Sequence, residues 1–82
     1  MFGEDDVRFE EEMLKQVKSI VDASLYRINS LGLYGREAWD ELTEARRRIL
    51  EKFPDKEETF DMVYLPRFKR IIWKNMLQVL ED

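Results

Sequence analysis

The sequence predicts an all-α protein, a small bundle of three or four helices, on three observations. Its 82 residues include only three glycines and two prolines, and the helix formers Glu, Lys, Arg, Leu and Met are abundant. β-Branched residues never gather into an alternating run; apolar residues recur instead at steps of three and four. Hydrophobic residues make up 44% of the chain against 39% charged, which is too apolar for a disordered segment. A chain this short holds one modest core, so 1–82 is read as a single domain whose stability self-association would help.

The first element is a long helix over about 5–31. Residues 1–12 carry six acids and one base, and either Asp5 or Asp6 is the expected cap, with the acids of the first turns suited to the helix dipole. Leu14, Val17, Val21, Ile28 and Leu31 form its inward seam, with Ser24 at a core-like position as a close-packing point. Gly32 fits the left-handed residue after the last turn, with Leu33 folding back onto Ile28. The loop Gly32-Leu-Tyr-Gly35 only superficially resembles a phosphate loop, because it follows a helix and lacks a strand before it; it reads as a connection between antiparallel helices.

A second helix over about 36–53 turns Ala38, Trp39, Leu42, Ala45, Ile49 and Phe53 inward, the small residues permitting close approach. It ends in a basic cluster, Arg46, Arg47, Arg48 and Lys52; Arg67, Lys69, Arg70 and Lys74 form another on the last helix. Acids elsewhere in the fold or in a dimer would neutralise these clusters, or else they serve binding. Pro54 ends the helix, and Asp55 followed by Glu58 has the spacing of a capping box for the next.

The densest apolar stretch runs from Phe60 to Leu80. Phe60, Tyr64, Phe68, Ile71, Ile72, Met76, Val79 and Leu80 make one stripe, and Met62, Leu65, Trp73, Leu77 and Leu80 a second, so this helix is expected to be buried on several sides. Pro66 lies in its middle, where it removes an amide hydrogen bond and drives Leu65 from the α region. The expectation is a bend or break, with segments over about 55–64 and 66–81, nearly collinear because the first stripe keeps its phase.

The composition also narrows the chemistry. Histidine and cysteine are both absent, which removes the usual general base, the thiol nucleophile and most transition-metal sites. No catalytic residue, cofactor or metal ligand is therefore assigned. A net charge of −4 makes nucleic acid an unlikely partner. No transmembrane run and no basic-then-apolar leader is read, and with no cysteine the expected location is the cytoplasm.

Two local patterns resemble known families. Glu41-x-x-Glu44 and Glu58-x-x-Asp61 place two acid pairs on adjacent helices, and residues 40–65 resemble the all-α nucleoside triphosphate pyrophosphohydrolases of the MazG-like group. That resemblance implies a magnesium-dependent enzyme acting on nucleotides with Glu41, Glu44, Glu58 and Asp61 as ligands, although Pro66 falls where the family runs an unbroken helix. Phe60, Tyr64-Leu65-Pro66, Lys69 and Ile71-Ile72 resemble the YLP segment of the XpaC family, named for 5-bromo-4-chloroindolyl phosphate hydrolysis; it implies a helical fold and no activity.

The favoured expectation is a non-catalytic protein-protein interaction module, an adaptor or regulator that binds another protein or itself as a homodimer. The surplus of aromatics carries it, since Trp, Tyr and Arg dominate binding hot spots. Tyr34, Arg67, Arg70, Trp73 and Lys74 are the expected contact residues. The magnesium enzyme is the alternative, and an anionic-surface binder using both basic clusters is the second.

Overall fold

The computed structural model of the chain describes residues 4–81, with side chains from 8 onward. Helix α1 spans Glu4–Leu31 and α2 spans Gly35–Lys52. A 3-10 turn, Pro54–Lys56, then leads into an α turn, Glu57–Thr59, a π turn, Phe60–Tyr64, and a final α segment, Leu65–Glu81. The last three are continuous, and together they are α3. The described residues thus form three helices with no strand, in a body 56 × 17 × 17 Å.

The chain runs up, down and up. Ser24 of α1 meets Glu41 of α2, while Val17 and Ile49 line one small hollow together with Phe60 of α3. Further along, Asn75 of α3 lies against Ile28, so α3 is parallel to α1 and each helix touches the other two.

α1 ends as its glycine predicts. Gly32 sits at φ 62°, its N–H donates to the Asn29 carbonyl at 3.3 Å, and the Leu33 N–H donates to the Ile28 carbonyl at 2.9 Å. This pair of reversed bonds satisfies carbonyls that the helix end would leave open. Asn75 then reaches over from α3, and its Nδ2 group donates to the Ile28 carbonyl at 3.1 Å and the Leu33 carbonyl at 2.9 Å. Asn75 is buried, and both of its amide hydrogens are used.

The core is a narrow seam. Met13, Val17, Val21, Ser24 and Ile28 are the buried positions of α1, Ala38, Leu42, Ala45 and Ile49 those of α2, and Phe60, Phe68 and Asn75 those of α3. Ser24 is the close-packing point expected of it, fully buried with its hydroxyl donating to the Glu41 carbonyl at 3.3 Å. Burying each of the two phenylalanines contributes about 1.5–3 kcal/mol. Their rings lie 6.0 Å apart, and Tyr64 stands 6.1 Å from Phe60.

Several expected core positions are exposed instead. Leu14 and Leu31 face outward, because the buried run of α1 passes through Met13, one position from Leu14, and ends at Ile28. Trp39 is exposed because Ala38 takes the interior place in the run 38, 42, 45, 49, and Phe53 is half-buried. On α3, Met62, Trp73, Leu77, Val79 and Leu80 are exposed. That helix is covered along one seam only, since two neighbours of this width leave its outer face open.

Local chemistry explains two further departures. Asp55 is not a cap: it lies inside the 3-10 turn, Pro54 holds the first position, and the residue preceding the α turn is Lys56, with no side-chain capping bond. At Pro66 the chain does not break: Leu65 stays in the α region, at φ −54° and ψ −43°, and the helix runs on. The π turn just before it carries a Leu65 N–H to Phe60 carbonyl bond, five residues apart, which widens the backbone where the proline ring would meet the preceding carbonyl. The expectations for capping at Asp5 or Asp6 fall on side chains outside the described residues.

Removing the Asn75 amide leaves two carbonyls less satisfied inside the fold. Asn75→Leu is expected to destabilise the protein by about 1–3 kcal/mol, read as a loss of roughly 4–8 °C in Tm per kcal/mol in thermal unfolding; an unchanged Tm would refute the clamp. Gly32→Ala meets no atom within 4 Å, so its cost is conformational alone. A loss of about 1–2 kcal/mol is expected in urea unfolding.

Candidate functional site

The open outer face of α3 and the start of α2 border a broad, shallow groove of about 880 Å³. Its apolar surface comes from Trp39 on α2 and from Pro66, Ile72, Trp73 and Met76 on α3, with Arg36, Lys69 and Arg70 around it. Trp39 is 51% and Trp73 59% exposed. The wall exists because Ala38 occupies the interior, which turns the neighbouring indole to the rim of the α2–α3 contact. Both tryptophans of the chain stand in this one place.

The expected contact residues are divided by the fold. Arg70 and Trp73 line the groove. Tyr34 is exposed in the α1–α2 loop and lines an adjoining hollow of about 430 Å³ that shares Gly35 and Arg36 with it. Arg67 stacks on Tyr64, its guanidinium 5.6 Å from the ring centre, a favourable contact for a cation. Lys74 turns toward α1, where its Nζ donates to Asn29 Oδ1 at 2.7 Å. The groove residues absent from the expected set are Gly35, Arg36, Trp39, Pro66, Lys69, Ile72 and Met76. The signal for Trp39 lay in the sequence: the 4-3-4 spacing of Ala38, Leu42, Ala45 and Ile49 already fills the interior.

Charge separates the two basic clusters. Arg46 donates to Glu57 at 2.9 Å and to both oxygens of Asp61 at 3.1 and 3.3 Å, tying α2 to α3. Arg47 is held by Glu44 and Glu51 on its own helix. These pairings neutralise much of the first cluster, through acids of α2 and α3. By contrast, among the described residues Arg36, Arg67, Lys69, Arg70 and Lys74 make no ion pair. An exposed cation without an acid beside it keeps its field for an incoming anionic group.

The four acids of the magnesium pattern are not assembled. Glu41 accepts both guanidinium bonds of Arg27, at 2.9 and 3.2 Å, Glu44 is taken by Arg47 and Asp61 by Arg46. Among the described residues no three acids are grouped so as to hold a metal ion. Hydrogen bonding to Arg47 holds the Glu44 carboxyl below the usual carboxylate range, and Arg46 does the same for Asp61. Among the described residues no helix is long and apolar enough to cross a membrane.

A depressed carboxyl contributes stability above its unfolded value, near about 3.9 for aspartate, and loses it as pH falls through the lower folded value. Arg46→Gln is therefore expected to move the Asp61 titration upward in carboxyl NMR. The stability difference between wild type and variant should be constant above about pH 4 and shrink below it. A difference independent of pH would show that the pairing is not electrostatic in origin.

Compared with protein-family models, curated proteins and solved structures, the chain matches none.

Proposed function

We propose that this protein is a small non-catalytic interaction module, an adaptor or regulator, which binds protein through the groove between Trp39 and Trp73. One observation carries the reading: two half-exposed indoles line one apolar groove, beside three cations, Arg36, Lys69 and Arg70, that make no ion pair among the described residues. Tryptophan at the centre of a pocket is the side chain whose truncation most often costs an interface dearly. The lack of histidine and cysteine fits a binding role, and a cysteine-free chain suits the cytoplasm. In this reading the three helices act as one bundle that holds the groove, with α3 reshaped at Pro66.

The unpaired cations favour a second reading, an anionic surface as target. It ranks lower because the groove's apolar floor would gain nothing from phosphate alone. Binding that Trp73→Ala abolishes speaks for the groove, whereas binding that Trp73→Ala leaves intact but about 0.5 M salt removes, where the screening length falls to about 4 Å, speaks for the surface.

Trp73→Ala should leave the helical circular dichroism and Tm near wild type, since more than half of that side chain is exposed. It should weaken a groove-bound partner by about 2 kcal/mol, roughly thirtyfold in Kd. Affinity capture comparing wild type, Trp39→Ala and Trp73→Ala checks this: an identical set of captured proteins from all three would sink the proposal.

A further inference from the structure

The groove has a complement on the same chain. α1 begins with exposed side chains: no described residue of it before Met13 is buried, and Phe9 is 65% exposed. Glu12 follows Phe9 by one helical turn on the same side, and Glu10 and Glu11 lie between them. Among the described residues none of these three acids makes an ion pair. One end of the molecule thus carries an aromatic ring in a net-acidic turn, three unpaired acids against the single base Arg8, and the other an aromatic groove among unpaired bases.

These two surfaces cannot meet within one chain. The groove lies at the level of Asn75 and the C-terminal end of α1, where Asn75 holds the Ile28 carbonyl. Phe9 is about 28 Å from Ile28 along α1, at about 1.5 Å per residue, and α1 is unbroken between them. Two grooves set face to face would bring Arg36, Lys69 and Arg70 against their own copies, which like-charge repulsion opposes. The charges therefore select the acidic end of a second copy.

The geometry points to self-association in which the Phe9–Glu12 turn of α1 of one copy docks in the Trp39–Trp73 groove of another, with Phe9 between the indoles and Glu10 and Glu12 toward Arg36, Lys69 and Arg70. This inference rests on the groove being an interaction site. Two copies laid antiparallel make the contact twice and close as a pair, whereas end-to-end repetition leaves an open chain.

Charge exchange tests it. Light scattering of the purified full chain, up to about 1 mM so that even a millimolar affinity is visible, should show mass rising above the 10.0 kDa of one chain. Tryptophan emission should shift to the blue as the mass rises, and both changes should weaken in about 0.5 M salt. The Glu10→Lys/Glu12→Lys variant and the Lys69→Glu/Arg70→Glu variant should each associate at least about tenfold more weakly, and mixing the two should restore association. If a double reversal fails to fold by circular dichroism, Glu12→Gln and Arg70→Gln give the same comparison in smaller steps.

A wild type that stays monomeric, reversals that associate as well as wild type, or a mixture that is not restored would each overturn the inference. Capture of another protein that Trp73→Ala abolishes would then leave the interaction module standing with a different occupant. Loss of both removes the two readings together.

Discussion

The fold depends on how one helix end is closed. α1 stops at Gly32 with its last carbonyls turned inward, and Asn75, from the far end of the chain, donates to the Ile28 and Leu33 carbonyls. A leucine at that place could fill space but could not satisfy two carbonyls. The amide therefore fixes where α3 lies against α1 and at what angle, and the position of Trp73, two residues earlier, follows from it. Hydrophobic burial supplies most of the stability, but it is tolerant of small rotations; two directional bonds are not.

The middle of the molecule uses a different means. Ser24 and the alanines of α2 bring α1 and α2 close, and bidentate Arg27–Glu41 and Arg46–Asp61 pairs lie at the exposed edges of the contacts. Such exposed pairs add little to stability in water. Their main consequence is electrical: Arg27, Arg46 and Arg47 are matched with acids, while the α3 cations beside the groove make no ion pair among the described residues.

Much of this was legible in the sequence and some was not, for identifiable reasons. The helical class, the end of α1 at Gly32, the return of Leu33 to Ile28 and the role of Ser24 all follow from local chemistry, which spacing and a single glycine reveal. The outer face of α3 was misread because apolar residues there look identical whether a neighbour covers them or not; Met62, Trp73 and Leu80 are apolar and exposed. Asn75 escaped notice because a polar residue inside an apolar stripe reads as an interruption, and its partners are 42 and 47 residues away. At the groove, Arg70 and Trp73 were legible as a basic and aromatic cluster, but their convergence with Trp39 and Arg36 required knowing how α2 and α3 lie together.

The wide turn at Phe60–Tyr64 has a geometric consequence of its own. A turn with more than the usual 3.6 residues acts as an angular offset: everything after it is rotated relative to a helix of uniform pitch, by about 100° for each whole residue added. In uniform α geometry, side chains four apart drift by about 40° at each step, and the reduced drift across the π turn keeps Phe60, Tyr64 and Phe68 near one line. The same offset sets the azimuth at which Asn75 meets α1 and Trp73 meets Trp39. Deleting one residue from this turn would retain a good helix and a good core composition, yet point both side chains elsewhere, so the fold tolerates a change in the segment's composition better than a change in its length.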